Sequence, residues 1–291
     1  MGCIDQVTTG EFALYRGDCV EVLADVPDDT MHYSVFSPPF ASLYTYSDDA
    51  RDMGNCHNSE EFFGQFRFLA EQLHRIMMPG RLVSIHSMLM PTSKTKDGYI
   101  GMYDFRGDVI RCMESAGFIY HSDVCIWKDP VTQMQRTKAL GLLHKQIRKD
   151  SCMSRQGTPD YVSTFRKPGD NPERVSHTGE DDDMPVSLWQ RYASPVWNDI
   201  NPSDTLQYMS AREHDDEKHI CPLQLEVIRR CVKLWTNPGD TVLSPFAGIG
   251  SEGHVALEMK RRFMGVELKG SYFEQARRNL DAACRQVDMF G

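Results

Sequence analysis

Nine cysteines stand in this chain of 291 residues without one C-x-x-C pair, which excludes the common zinc-binding spacings. An odd number of scattered thiols also argues against a disulfide frame, and predicts reduced cysteines, mostly buried as small hydrophobes, in a cytosolic protein. No apolar run approaches the roughly 20 residues of a membrane helix. The first residues, Met1-Gly2-Cys3-Ile4-Asp5-Gln6, lack the charged and apolar regions of a signal peptide, and Gln6 stands where a myristoylation signal has Ser or Thr. Positive charge is in short supply: 32 Lys and Arg face 41 Asp and Glu, for a net charge of −9. That balance argues against a protein that simply coats nucleic acid, and leaves room for a local basic groove. No internal repeat is visible. The histidines lack ligand spacing, so no metal site is expected. Hydrophobic residues at 41% and charged residues at 25% are ordinary for a globular protein.

What is present is organised around Thr241-Val242-Leu243-Ser244-Pro245-Phe246-Ala247-Gly248-Ile249-Gly250-Ser251-Glu252-Gly253. It reads as a short apolar strand, a glycine turn and a helix running on through Lys260. Glycines permit a sharp turn and a close backbone approach, and the free N–H groups of a helix start favour polar or anionic groups. The next strand, Arg262 to Glu267, ends in a carboxylate, where a cofactor ribose would offer its hydroxyls. Gly248, Gly250 and Gly253 also satisfy the spacing of the dinucleotide fingerprint. One further helix fits after it, roughly Tyr272 to Arg285. The rest of the sheet must come from upstream, which predicts a permuted α/β domain.

Upstream, Phe12 to Asp18 reads as a strand ending in a Gly-Asp turn, with a short helix from Cys19 to Leu23. Met31 to Phe36 is a second strand that runs into Ser37-Pro38-Pro39-Phe40. Two prolines stop a strand, because neither can donate a ladder hydrogen bond. The stiff loop then holds Ser37 and Phe40 at the strand's C-terminal end, where ligands sit in open α/β sheets. Residues 41–58 are polar and irregular, as a lid would be. Glu60 to Met77 has a helical apolar period, Arg81 to His86 reads as a strand, Asp104 to Ala116 as a helix, and Phe118 to Trp127 as a strand pair. From 130 to about 216 the rhythm fails. The stretch opens with Arg136, Lys138, Lys145, Arg148, Lys149, Arg155, Arg166 and Lys167, and turns acidic at Glu180 to Asp183. It reads as an inserted module. Pro222 to Trp235 is a helix leading to the glycine-turn strand.

A Ser-Pro-Pro-Phe loop followed far downstream by Phe-x-Gly-x-Gly resembles the β-type amino-methylating DNA methyltransferases. In that family a (Asp/Asn/Ser)-Pro-Pro-(Tyr/Phe/Trp) motif comes first, then a target-recognition insert, then the cofactor motif. The resemblance covers nearly the whole chain except the insert. It implies a Rossmann-like, circularly permuted α/β fold with S-adenosylmethionine as cofactor and DNA as partner, in a restriction–modification setting. The expected division is a catalytic half at 1–129, a recognition insert at 130–216 and a cofactor-binding half at 217–291. Ser37, Pro38, Pro39 and Phe40 match the catalytic loop. Pro245, Phe246, Gly248 and Gly250 match the cofactor loop, with Ser244 where the family usually has Asp. Glu267, followed by Leu268, matches the ribose acid, and Asp18, followed by Cys19, an acid near the adenine. His219, Cys221 and Pro222 resemble the segment leading into the helix beside the methionine moiety. Lys145, Arg148, Lys149 and Arg155 are the expected DNA contacts.

The chemistry accounts for these residue types. An exocyclic base amine is a poor nucleophile, because its lone pair is delocalised into the ring. Acceptors on its N–H groups, here Ser37 and the Pro38 carbonyl, would localise that pair and aim it at the sulfonium methyl. The base must leave the duplex, and Phe40 offers it a stacking face. No cysteine stands in the Pro-Cys setting of ring-carbon methylases, in keeping with a route that needs no covalent enzyme intermediate. Ser37 favours N4 of cytosine over N6 of adenine as the target. The alternatives are an adenine methyltransferase, a catalytically degenerate DNA-binding module, and an NAD dehydrogenase, which Ser-Pro-Pro-Phe disfavours. Both a monomer and a homodimer are compatible with these residues.

Overall fold

The computed structural model of the protein describes residues 2–39, 52–56, 58–131, 133, 144–153, 156–177, 184–207 and 222–290. Its strands are β1 (Cys3–Thr8), β2 (Phe12–Gly17), β3 (Met31–Phe36), β4 (Met77–Met88), β5 (Met90–Pro91), β6 (Met102–Tyr103), β7 (Ile119–Ile126), β8 (Asp160–Arg166), β9 (Val196–Trp197), β10 (Thr241–Ser244) and β11 (Arg262–Glu267). Its helices are α1 (Cys19–Ala24), α2 (Ser59–Ile76), α3 (Lys94–Asp97), α4 (Phe105–Ser115), α5 (His144–Ile147), α6 (Val186–Tyr192), α7 (Leu225–Trp235), α8 (Ser251–Glu258) and α9 (Gly270–Phe290).

Nine of the described strands form one sheet in the order β1-β2-β11-β10-β3-β4-β8-β7-β9. The five from β2 to β4 are mutually parallel, so their C-terminal ends share one edge. β10 pairs with β11 on one side and with β3 on the other, register Val242 to Tyr33 and Leu243 to Ser34. Two apolar layers cover the sheet. One packs Phe62, Phe66, Leu69 and Leu73 of α2 with Phe105, Val109 and Met113 of α4. The other packs Val227, Ile228 and Val232 of α7 with Val255 and Ala256 of α8 and Phe273, Ala276 and Leu280 of α9. Helices that precede β7 therefore cover one face, and those that follow β9 the other. At the junction of β3 and β10 the winding reverses, which opens a crevice at the C-terminal edge.

Local chemistry sets the element ends. Asn58 caps α2 by accepting from the Glu61 amide at 2.8 Å, and Asp104 caps α4 by accepting from Gly107 at 2.9 Å. Gly253 of α8 is a packing glycine: a Cβ there would lie 2.5 Å from both Leu280 and Phe263. β10 and β11 can approach their helices because of it.

Three expectations change. Phe118 to Trp127 is not a strand pair. It holds the single strand β7, and the antiparallel partner of β7 is β8, register Val124 to Val162. β8 and β9 both fall inside 130–216, so part of the stretch expected to be an insert builds the sheet. The polar strand β1, which the sequence reading passed over, pairs antiparallel with β2 at the sheet edge. The helix expected from Pro222 starts at Leu225, and the last helix extends from Gly270 to Phe290. Among the described residues, no helix is long and apolar enough to cross a membrane.

Candidate active site

The crevice at the C-terminal edge is a cavity shared by four strand ends. Gly17, Asp18 and Cys19 reach it after β2, Ser37, Pro38 and Pro39 after β3, Pro245 to Ile249 after β10, and Glu267, Leu268 and Lys269 from β11. Pro222 and Leu223 close it from the segment before α7. The glycine turn and the Ser-Pro-Pro loop thus meet because β10 and β3 are neighbours in the sheet.

The glycine turn is pinned from three sides. Ala247 N–H donates to the Val266 carbonyl at 2.8 Å, and Gly250 N–H to the Ala247 carbonyl at 2.7 Å. Asn279 of α9 donates to the Ile249 carbonyl at 2.8 Å. Gly248 has φ +53°, and a Cβ there would meet nothing within 4 Å, so its backbone faces open space. Gly250, at φ +86°, does not line the cavity. It starts α8 and lies against Ala276 of α9, where a Cβ would approach to 3.3 Å.

Glu267 accepts twice from the backbone, from Gly248 N–H and from Lys269 N–H, each at 2.8 Å. The Gly248 amide is therefore not a free donor for a ligand, which corrects the sequence expectation. Each carboxylate oxygen keeps a second lone pair for a hydroxyl. Asp18 lines the cavity and also caps α1, accepting from the Glu21 amide at 3.0 Å. The Cys19 thiol is buried, and burial with the Asp18 charge pushes it well above its ordinary range. Ser244 is fully buried and is not among the cavity-lining residues, and its hydroxyl has no hydrogen-bond partner. Phe40, Arg155, His219 and Cys221 lie outside the described residues. Lys145, Arg148 and Lys149 are exposed on and just after α5. Lys167, from the same basic run, is instead tied to Asp29 at 2.5 Å and to the Met77 carbonyl at 2.8 Å.

Several functional groups escaped the sequence reading. Asp52 and Met53 line the cavity from the stretch expected to be a lid. Glu252, two residues beyond the glycine turn, lines it too and is only 4% exposed. Behind Ser37 runs a chain of polar contacts. Ser37 Oγ lies 2.7 Å from His86 Nδ1, His86 Nε2 lies 3.0 Å from Asp160 Oδ2, and Lys128 pairs with the same carboxylate. His86 and Asp160 are both buried. Each member sits at the end of the next strand across, β3, β4, β8 and then just past β7, so the sheet order itself aligns them.

At the opposite end of the strands His32, Glu173 and Asp240 come within ligand reach of one another. Thr241 N–H donates to His32 Nδ1 at 3.2 Å. Neutral His32 then carries its proton on Nε2, which faces Glu173 at 3.3 Å and Asp240 at 3.8 Å. That nitrogen is a donor to carboxylates, not a ligand atom, and Arg81 already pairs with Asp240 at 3.0 Å.

A sequence profile of DNA methylases matches residues 31–278. The chain belongs to this DNA methylase family. It is 26% identical over 268 residues to the Type II methyltransferase M.BglII of Bacillus subtilis, covering 90% of this chain and 67% of that one. Its fold is similar to that of TTHA0409, a DNA modification methylase of Thermus thermophilus solved with S-adenosyl-L-methionine: TM-score 0.69, 21% identity, 94% of this chain and 96% of that one. It is also similar to the cytosine-N4-specific PvuII DNA methyltransferase, with TM-score 0.67, 17% identity, and 96% and 93% coverage. The methyl donor of this DNA methylase family is S-adenosylmethionine, and the cavity fits it. Glu267 has acceptor capacity at the tip of β11, Gly248 leaves room for close approach, and carboxyl groups line a space that would receive a cation.

Those carboxyls give a pH test. Glu252 is pushed up to about 8 and Glu267 to about 7, burial being the largest cause in each. An unfolded glutamate ionises near about 4.3. Between about 4.3 and these raised values the folded, ligand-free protein holds protons that the unfolded chain has released, so its stability falls as pH rises. In Glu252→Gln the fall in urea-unfolding free energy between pH 5 and pH 8 should be visibly smaller, since a tenfold change in an ionisation equilibrium is worth about 1.4 kcal/mol. The same fall in both proteins would show that Glu252 is ionised in the empty cavity.

Proposed function

We propose that this protein transfers the methyl group of S-adenosylmethionine to the exocyclic N4 amine of a cytosine flipped out of DNA. The observation that carries the reading is Ser37 at the rim of the cofactor cavity, with its hydroxyl 2.7 Å from a histidine nitrogen. A serine that donates its proton to His86 keeps its lone pairs for other donors. Such an oxygen, together with the Pro38 carbonyl, would accept from the two N–H groups of an amine and return its lone pair to the nitrogen. The bound cofactor supplies the electrophilic methyl group. Orientation and electrostatics are what the protein adds.

The choice of cytosine rests on Ser37. In this family an acid or amide at that position goes mostly with adenine and Ser mostly with cytosine. A hydroxyl can accept from N4–H or donate to the neighbouring ring nitrogen, whereas an ionised carboxylate can only accept. Membership of the DNA methylase family supports DNA as the partner. The part of 130–216 that lies outside β8 and β9 is the candidate recognition region, with Lys145, Arg148 and Lys149 along the phosphates.

Mass spectrometry of nucleosides from DNA treated with the protein and S-adenosylmethionine should find N4-methylcytosine. N6-methyladenine in its place would mean that Ser37 does not set the base. Reversing Lys145, Arg148 and Lys149 to Glu should weaken DNA binding and flatten its salt dependence, by about 0.9 in log–log slope for each phosphate contact removed. Cofactor affinity should stay the same. DNA binding with an unchanged salt slope would make these residues a solvated surface.

A further inference from the structure

The contacts behind Ser37 have the form of a relay, and the amine chemistry creates a proton for it to carry. Methylation leaves the base nitrogen with one substituent too many, so an N–H proton must depart. Solvent is one sink for it. The structure offers another, already hydrogen-bonded to the one side chain placed against the amine.

We propose that His86, oriented by Asp160, is the positioning residue that sets Ser37 as an acceptor and takes up the proton released by the methylated amine. The inference rests on the amine-methylation reading of the same cavity. Directionality follows from the donor inventory. Asp160 is held below the ordinary carboxylate range: burial alone would raise it, but the hydrogen bond and charge of His86 and the charge of Lys128 outweigh that cost. An ionised carboxylate only accepts, so His86 Nε2 must carry a proton toward Asp160 Oδ2, 3.0 Å away. Neutral His86 then has a bare Nδ1, and Nδ1 can only accept from the Ser37 hydroxyl 2.7 Å away. Ser37 is thereby fixed with its proton turned inward and its lone pairs turned to the cavity.

The step balances. The amine lone pair forms the N–C bond as the C–S bond to the methyl group breaks, and the C–S electrons stay on sulfur. An N–H proton passes to Ser37 Oγ as the Ser37 hydroxyl proton passes to His86 Nδ1. The imidazolium so formed lies against Asp160 and returns its extra proton to water when the products leave. Among the described residues the charged groups of this chain of contacts are Asp160 on β8 and Lys128 just past β7, which balance one another.

Asp160→Asn tests the direction of the relay. An amide can donate to Nε2, which would place the histidine proton on Nδ1 and turn it toward Ser37 as a donor. Histidine 15N spectra of the intact protein should show the Nε2–H tautomer of His86 in the wild type and a shift toward Nδ1–H in Asp160→Asn. Single-turnover methylation of DNA should fall about 10²-fold in that variant, with S-adenosylhomocysteine affinity unchanged. His86→Gln, which keeps an acceptor but cannot carry a proton, should lose rate to a similar degree. It should also lose the acid limb of the rate–pH profile. An Nδ1–H tautomer in the wild type, or wild-type rates with an unaltered pH profile in both variants, would overturn the relay. If the wild type itself transfers no methyl group to DNA, the substrate reading fails instead. The wild-type tautomer still decides then which way Ser37 and His86 are bonded.

Discussion

Strand β10 hydrogen-bonds to β3 on one side and to β11 on the other, and the site depends on that placement. The glycine turn belongs to the last quarter of the chain and the Ser-Pro-Pro loop to the first. Only a strand inserted between β3 and β11 brings them to one edge. The parallel ladders then aim five strand ends in a single direction, so the cofactor acid, the glycine turn and Ser37 line one cavity. Backbone pairing sets the geometry of the site, and the side chains act within it.

Within that frame the polar groups divide into two systems. Carboxyls gather on the cofactor side. Glu267 is held by two backbone amides, and Glu252 is buried deeper with its proton retained to about pH 8. Such a wall is costly while empty and suits a ligand that brings positive charge. On the base side, Ser37, His86, Asp160 and Lys128 cross four neighbouring strands in order. That system arranges donors and acceptors around one hydroxyl.

The cofactor half was legible because its signals are local. An apolar strand, glycines at a turn and an acid at the next strand tip lie within 27 residues, 241–267. The Ser-Pro-Pro loop was legible because two prolines end a strand in any context. β8 was missed because its pairing partners are remote: Val162 pairs with His86 and Val124, and nothing nearby in sequence announces it. β1 was missed because it is an exposed edge strand with a polar sequence and no buried face to give a period. Spacing could not join His86 to Asp160, which stand 74 positions apart and meet only because β4 and β8 are antiparallel neighbours. Glu252 looked like a solvent-facing residue of a helix's first turn. The cavity wall claims it because α8 begins at the crevice.

The most direct test is at Glu267, where the strand tip, the glycine turn and the cofactor are claimed to meet. S-adenosylmethionine should be titrated calorimetrically into the wild type and into Glu267→Ala, with folding of both checked by thermal melting. A hydrogen bond to a charged group contributes roughly 1.5–3 kcal/mol, so the variant should bind about tenfold more weakly or worse. Equal affinity in two folded proteins would remove Glu267 from the cofactor site and with it the assignment of the cavity.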